Sequence, residues 1–286
     1  MTRSSPHAGE LTGAPLSARR VDLGYPGRTV VRGLDLEVVR GEFTVIVGPN
    51  ACGKSTLLRA LGRLLAPSAG QVLLEDRAIS RYGTKEVARQ VGLLPQAPVT
   101  PEGISVADLV ARGRYPHQRL LRQWSAADAE AVESALTEVG MLTESDRMVE
   151  ELSGGQRQRV WIAMSLAQQT RILLLDEPTT YLDVAHQLDV LDLCADLHDQ
   201  GRTLVAVLHD LNLAARYATR LVLMSEGAIL AEGTAEEVLT PALLQQAFSL
   251  TARVIEDPES GRPMVVPLTR SGRRRVEHSD ATGSAQ

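Results

Sequence analysis

Gly48-Pro49-Asn50-Ala51-Cys52-Gly53-Lys54-Ser55 decides how this chain is read. Before it, Phe43 to Val47 has the composition of a short buried strand. After it, Lys54 to Leu65 carries Leu57, Leu58, Leu61, Leu64 and Leu65 at helical spacing. Strand, glycine-rich loop and helix in that order fit a loop that cradles phosphate. Backbone N–H groups in the loop and at the helix start converge on phosphate oxygens, and the helix dipole favours negative charge there. Lys54 adds a mobile cation, Ser55 offers a hydroxyl to Mg²⁺, and Thr56 follows in the first helical turn. A glycine-rich turn without a ligand is the plain alternative. The flanking elements argue against it, and so does the rarity of lysine: Lys54 and Lys85 are the only lysines among 30 basic residues.

A second stretch, Ile172-Leu173-Leu174-Leu175-Asp176-Glu177-Pro178, is an apolar strand ending in two carboxylates. In a parallel sheet that end is the edge where ligands bind. Asp176 would orient Mg²⁺ and its waters, and Glu177 would polarise the attacking water as a general base. Alone, an Asp-Glu pair is more often a solvated corner; a phosphate loop in the same chain changes its meaning. A third stretch, Leu152-Ser153-Gly154-Gly155-Gln156, places small residues at a helix start. It makes a second phosphate cradle, and one mononucleotide site does not need two.

With Gln156-Arg157-Gln158-Arg159 continuing it, this third stretch resembles the signature of the ABC ATPases, and Ser153 stands 23 positions before Asp176. The resemblance covers about residues 18–249. It implies a P-loop NTPase core of the α/β class with a mainly parallel sheet, an antiparallel β edge subdomain and an inserted α-helical subdomain. It also implies ATP and Mg²⁺ as ligands, with Gly48 to Thr56 binding the nucleotide. Tyr25 resembles the aromatic that stacks on adenine. Gln96 resembles the glutamine that meets Mg²⁺ and the water while linking the sheet to the helical insert. His209 is similar to the histidine that senses the γ-phosphate, and Asp183 to the aspartate that crosses a dimer interface. In this family the phosphate loop of one subunit faces the signature residues, here Ser153, Gly154, Gly155 and Gln156, of another, so two ATP molecules are sandwiched in a homodimer. One position departs from the family pattern: Ala51 stands where these ATPases usually have Gly. A Cβ there costs about 1 kcal/mol if the backbone is left-handed, and weakened ATP binding is the most it is expected to do.

Around these motifs, Val21 to Val39 reads as two antiparallel strands about the turn Gly24-Tyr25-Pro26-Gly27. Residues 91–150 read as mostly helical, with helices over Ile104 to Arg112 and Ser125 to Gly140. Later elements are expected as a helix over Leu152 to Gln169, a helix over Val184 to Leu197, a strand over Thr203 to Leu208, a hairpin turning at Glu226-Gly227, and a helical pair over Ala235 to Phe248. A second small hairpin is expected around Pro258-Glu259-Ser260-Gly261. The expected organisation is a disordered tail over 1–17, an ATPase domain over 18–268 with its helical insert at about 97–152, and a disordered tail over 269–286.

The balance of 44% hydrophobic and 23% charged residues is that of an ordinary globular protein. Its longest apolar runs are strand-sized, far short of the ~20 residues of a membrane span. The N-terminus lacks the apolar stretch of a secretory signal, and Cys52 and Cys194 lack disulfide or metal-ligand spacing, so a reduced, cytoplasmic chain is expected. A net charge of −5 argues against broad nucleic-acid binding. Arg273-Arg274-Arg275 reads as a solvated tail.

Ala111-Arg112-Gly113-Arg114-Tyr115-Pro116-His117-Gln118 and Pro178-Thr179-Thr180-Tyr181-Leu182-Asp183-Val184-Ala185-His186-Gln187 resemble subunits that energise uptake of iron–siderophore complexes. By residue type alone, Arg112 to Arg122 is a basic, exposed loop. The resemblance implies a peripheral subunit on the cytoplasmic face of the cell membrane. Its partners would be a membrane permease, through a groove around that segment, and indirectly a substrate-binding protein. Haem or cobalamin import, a soluble ABC ATPase acting on ribosomes or DNA, and a non-hydrolysing nucleotide module are the rival readings.

Overall fold

The computed structural model describes residues 14–118 and 124–269. In chain order its first elements are β1 (Leu16–Tyr25), β2 (Arg28–Val38), β3 (Phe43–Val47), α1 (Lys54–Leu61), β4 (Ala69–Leu74), β5 (Arg77–Ala78), α2 (Thr84–Ala88) and β6 (Val91–Leu94). Then come α3 (Val106–Ala111), a 3₁₀ stretch (Arg112–His117), α4 (Ala126–Glu138), α5 (Gly154–Ala167), β7 (Ile172–Asp176) and α6 (Val184–Asp199). The chain closes with β8 (Thr203–Val207), α7 (Leu211–Tyr217), β9 (Arg220–Ser225), β10 (Ala228–Gly233), α8 (Ala235–Val238), α9 (Pro241–Phe248), β11 (Ala252–Glu256) and β12 (Pro263–Pro267). No helix among the described residues is long and apolar enough to cross a membrane.

The main sheet has the order β10-β9-β3-β8-β7-β6, parallel throughout except for the edge strand β10. Every residue of β3, β7 and β8 is buried, which is what a parallel sheet covered on both faces demands. Side chains alternate between the two faces: Phe43, Val45 and Val47 join the core shared with α3 to α9, while Ile46 joins the core under α1 and the second sheet. That second sheet, β2-β1-β4-β5, is antiparallel and lays Leu16, Val21 and Leu23 over Leu57, Leu58 and Leu61 of α1. Residues of the helical insert, among them Leu109, Val132 and Leu136, pack with Trp161 and Ile162 of α5 in the first core.

Most expected elements are present, including both hairpins and the helix over 126–138 with Ser125 as its cap and Gly140 left-handed just beyond it. Four expectations need correction. β1 starts at Leu16, so Leu16 and Ser17, expected in the tail, are buried strand residues. The helix expected to Leu65 stops at Leu61 with Gly62 as its cap, leaving Leu64 67% exposed. β6 is a core strand where mostly helix was expected, because Val91-Gly92-Leu93-Leu94 pairs in register with Ile172 to Leu175. The segment expected as an exposed basic loop is a 3₁₀ stretch over Arg112–His117 in which Arg114 is 5% exposed and paired with Asp128. β4 and β5 were not anticipated. The expected tails fall, apart from residues 14–17 and Thr269, outside the described residues, as do residues 119–123 of the basic segment.

Candidate active site

Four parallel strands bring the predicted residues to one edge. The loop after β3 is Gly48 to Gly53, Glu177 follows β7, His209 comes two residues after β8, and Gln96 two residues after β6. Because β7 lies between β8 and β6, His209 and Gln96 approach Glu177 from opposite sides. His209 Nε2 lies 2.7 Å from Glu177 Oε1, and the Gln96 amide donates to Oε2. The Thr180 hydroxyl donates to the same Oε2 at 3.1 Å. Glu177 itself has left-handed backbone, φ +54°.

The phosphate loop is held by contacts within the chain. Gly48 runs at φ +153°, and a Cβ there would sit 2.1 Å from the Met224 carbonyl oxygen, so only glycine fits. Gly53 is left-handed at φ +109°, and so is Ala51 at φ +62°. The Cys52 N–H donates to the Pro49 carbonyl (3.4 Å), and the Gly227 N–H, from the turn between β9 and β10, donates to the Cys52 carbonyl (3.1 Å). The Lys54 ammonium, 5% exposed, donates to the carbonyls of Gly48 and Pro49, each at 2.8 Å. Burial pushes the Cys52 thiol above its usual range, with the charge of Lys54 opposing.

The Ser55 hydroxyl donates to Asp176 Oδ1 at 2.7 Å. Burial raises the Asp176 carboxyl above the usual range, and the neighbouring Glu177 adds to this; the Ser55 hydrogen bond, Arg59 and Lys54 oppose it without prevailing. Tyr25, Asn50, Ala51, Gly53, Lys54, Ser55, Thr56, Glu177 and His209 line one pocket of about 250 Å³. Tyr25 is 45% exposed there, with its hydroxyl 3.3 Å from Arg59 Nη1.

Ser153, Gly154, Gly155 and Gln156 do not line that pocket, and neither does Asp183. They form a separate group at the start of α5. The Ser153 hydroxyl accepts from the Gln156 N–H (3.2 Å) while the Gln156 side chain accepts from the Ser153 N–H (3.1 Å), a reciprocal cap that fixes the helix start. Asp183 caps α6, accepting from the N–H of His186 (3.0 Å) and lying 2.7 Å from its Nδ1. Those bonds hold the Asp183 carboxyl below its usual range. The His186 ring rests on Gly155, where a Cβ would come within 2.2 Å of the ring.

Three side chains in these groups escaped the sequence reading. Arg28 and Val30 complete the wall of the pocket, and nothing in an edge hairpin marks them as such. His186 was visible only as part of a motif, although its place three residues after Asp183 is the spacing of a helix cap.

A phosphate loop on a parallel sheet, backed by a strand-end carboxylate pair, defines a P-loop nucleoside-triphosphatase. The sequence profile of the ABC transporter family matches residues 31–180. The ferric enterobactin transport ATP-binding protein of Escherichia coli is 51% identical over 259 residues, 90% of this chain and 96% of the relative. The petrobactin import ATP-binding protein FpuD of Bacillus anthracis is 48% identical over 267 residues, 93% and 98% of the two chains. An ABC transporter assigned to the metal-chelate type, solved in an inward-facing conformation, superposes with a TM-score of 0.78 at 29% identity, covering 90% of this chain and 98% of the solved one. The chain belongs to the ABC transporter family as an ATP-binding subunit, and it binds and hydrolyses ATP.

Proposed function

We propose that this chain is the peripheral ATPase of an importer of iron–siderophore complexes, working as a homodimer against a membrane permease that is fed by a binding protein. The cargo assignment is supported by near-full-length similarity to relatives named for siderophore import. One observation carries the dimer: the two phosphate cradles of the chain stand apart, the one with Lys54 lining the pocket and the one at Ser153 absent from it. Each ATP would then be gripped by the loop of one copy and the Ser153 helix start of its mate.

In this reading Tyr25 and Val30 receive the adenine, and the loop amides with Lys54 bind the phosphates. Ser55 and Asp176 suit Mg²⁺: they are hard oxygen donors, a hydroxyl that lines the pocket beside a carboxylate whose charged form burial disfavours. The ion, when bound, neutralises charge on the phosphate oxygens. Glu177 takes the proton of the attacking water as the bond from the γ-phosphorus to ADP breaks. Both of its oxygens are already engaged, by His209 on one side and by Gln96 and Thr180 on the other. Turning His209 and Gln96 toward the γ-phosphate would free the carboxylate, so that the base becomes available only when ATP is in place.

Glu177→Gln tests this. Turnover should fall by about 10²–10⁴-fold, the usual worth of a general base, and ATP should hold the variant as a dimer on a sizing column. Normal turnover, or no ATP-dependent dimer even with the permease supplied, overturns the mechanism. Uptake of an iron–siderophore complex into permease-containing vesicles, against haem and cobalamin controls, tests the cargo.

A further inference from the structure

The hairpin of β11 and β12 belongs to neither of the larger sheets. A lone two-stranded hairpin is marginal in water, so this one persists by what it is fastened to. Ala252 and Val265 are buried in the first core, and Val254 packs against it. The polar fastening to α7 falls on one face of that helix, at Asn212 and Arg216, four residues apart and so neighbours on its surface. The Asn212 side chain meets β12 as a paired strand would: its Oδ1 accepts from the Val265 N–H at 2.7 Å, and its Nδ2 donates to the Val265 carbonyl at 3.3 Å. Arg216 grips the turn, with Nη2 and Nε donating to Asp257 Oδ2 at 2.7 and 3.2 Å and Nη1 lying 3.2 Å from Glu259 Oε2.

The turn that Arg216 grips is itself tied down. Asp257 Oδ1 accepts from the Glu259 N–H at 3.1 Å, its Oδ2 from the Ser260 hydroxyl at 2.8 Å, and its carbonyl from the Gly261 N–H at 2.8 Å. The helix is held elsewhere too: Ala214 and Ala215 are fully buried, and the Tyr217 hydroxyl donates to Asp192 of α6 at 2.6 Å. It starts two residues after His209. Asp210 caps it, with Oδ1 accepting from the N–H of Asn212 at 2.8 Å and of Leu213 at 2.9 Å. Asn212 therefore holds, by its main chain, the residue that follows His209 and, by its side chain, the hairpin. Among the described residues beyond β8, His209 alone lines the nucleotide pocket.

We infer that the β11–β12 hairpin is a brace for His209 and that Asn212 is the positioning residue through which it acts, fixing the first turn of α7 and so the ring that meets Glu177 Oε1. The inference rests on the reading of His209 as a partner of Glu177 in turnover. Such a brace narrows the positions that His209 takes and adds no contact to the nucleotide. It therefore bears on the chemical step and leaves nucleotide binding alone. A segment that the nucleotide site does not use thereby gains a part in the reaction.

The test uses the full chain with its histidine rings labelled for NMR, alongside ATP turnover and ADP titration. Asn212→Ala should lower kcat by about 3- to 10-fold, the shift that losing one hydrogen-bonded restraint allows, with ADP affinity unchanged within about twofold. In the nucleotide-free chain the ring signals of His209 are identified by their loss in His209→Ala. In Asn212→Ala they should move toward the position they take in Glu177→Ala, while those of His117 and His186 stay in place. Asn212→Asp keeps the shorter bond to Val265 and should restore most of kcat and of the ring signal. Arg216→Met loosens the same hairpin at its turn, should move both readouts in the same direction, and guards against a folding defect in the first variant. Parent-like His209 signals in both Asn212→Ala and Arg216→Met overturn the inference, as does a fall in kcat matched by an equal fall in ADP affinity. If His209→Ala turns over ATP normally while the ring signals of His209 still answer to Asn212, the part given to His209 in turnover falls and the brace stands.

Discussion

Ala51→Gly separates a cost borne in folding from one borne in binding. The residue is left-handed at φ +62° in the phosphate loop, where a Cβ costs about 1–2 kcal/mol. That backbone is enforced within the chain by Gly48, Gly53, the Gly227-to-Cys52 hydrogen bond and the Lys54 bonds to Gly48 and Pro49. The strain therefore belongs to the folded protein as such, and binding neither adds to it nor relieves it. Glycine removes it but returns about 0.4–1 kcal/mol of backbone freedom to the unfolded chain, leaving a net gain of about 0.5–1 kcal/mol. At about 2–4 °C per kcal/mol for a chain of this size, Tm should rise by about 1–4 °C. ATP affinity, measured by titration with a fluorescent analogue and competition by ATP, should stay within about twofold, far less than the tenfold that 1.4 kcal/mol would give. A several-fold gain in affinity with no change in Tm would refute this, because it would mean that the loop takes up the left-handed turn only as nucleotide binds.

Two further substitutions probe the two separated groups. Asp176 has its carboxyl raised by burial, so the folded protein holds that proton more tightly than the unfolded chain, and stability falls as pH rises from the ordinary carboxylate range through the raised value. Asp176→Asn should consequently raise Tm at neutral pH while abolishing ATPase activity, with the gain shrinking toward pH 4 in melts across pH; an unchanged or lowered Tm at neutral pH contradicts it. Gly155→Ala places a methyl within 2.2 Å of the His186 ring and should destabilise by about 1–3 kcal/mol unless the ring swings out and abandons Asp183. Chemical denaturation of Gly155→Ala, His186→Ala and the double variant should reveal coupling of at least about 0.5 kcal/mol, and simple additivity would show that the ring does not press on the helix start.

The phosphate loop, the carboxylate pair and the Ser153 helix start were readable because each is a local pattern whose neighbours, strand before and helix after, are local too. β6 escaped because Val91-Gly92-Leu93-Leu94 is too short to show a period, and its identity comes from pairing with β7, 81 residues later at the Val91–Ile172 partners. The end of α1 was misplaced because Leu64 and Leu65 continue the helical spacing, while Gly62 closes the last turn and leaves Leu64 in solvent. Arg114 looked like one more surface arginine in a basic run. Only the fold brings it Asp128 from α4 and the carbonyl of Ala167 from α5, which together make its burial tolerable.

Strand order, more than any single motif, gives the catalytic edge its geometry. Several left-handed non-glycine residues serve chain reversals: Glu75 and Asp76 between β4 and β5, Glu226 between β9 and β10, Ser249 at the end of α9. Glu177 serves none. It follows a fully buried strand directly, at φ +54°, a conformation that a glycine would adopt with less strain but without a carboxylate. Its carboxylate is met from the strands on either side of β7, by His209 beyond β8 and Gln96 beyond β6, although these lie 32 and 81 residues away in sequence. Each of those two partners also stands on a route to another part of the molecule, Gln96 through β6 to α2, His209 through Asp210 into α7. The Glu177 carboxylate is thereby tied, through His209 and Gln96, to contacts made elsewhere in the chain.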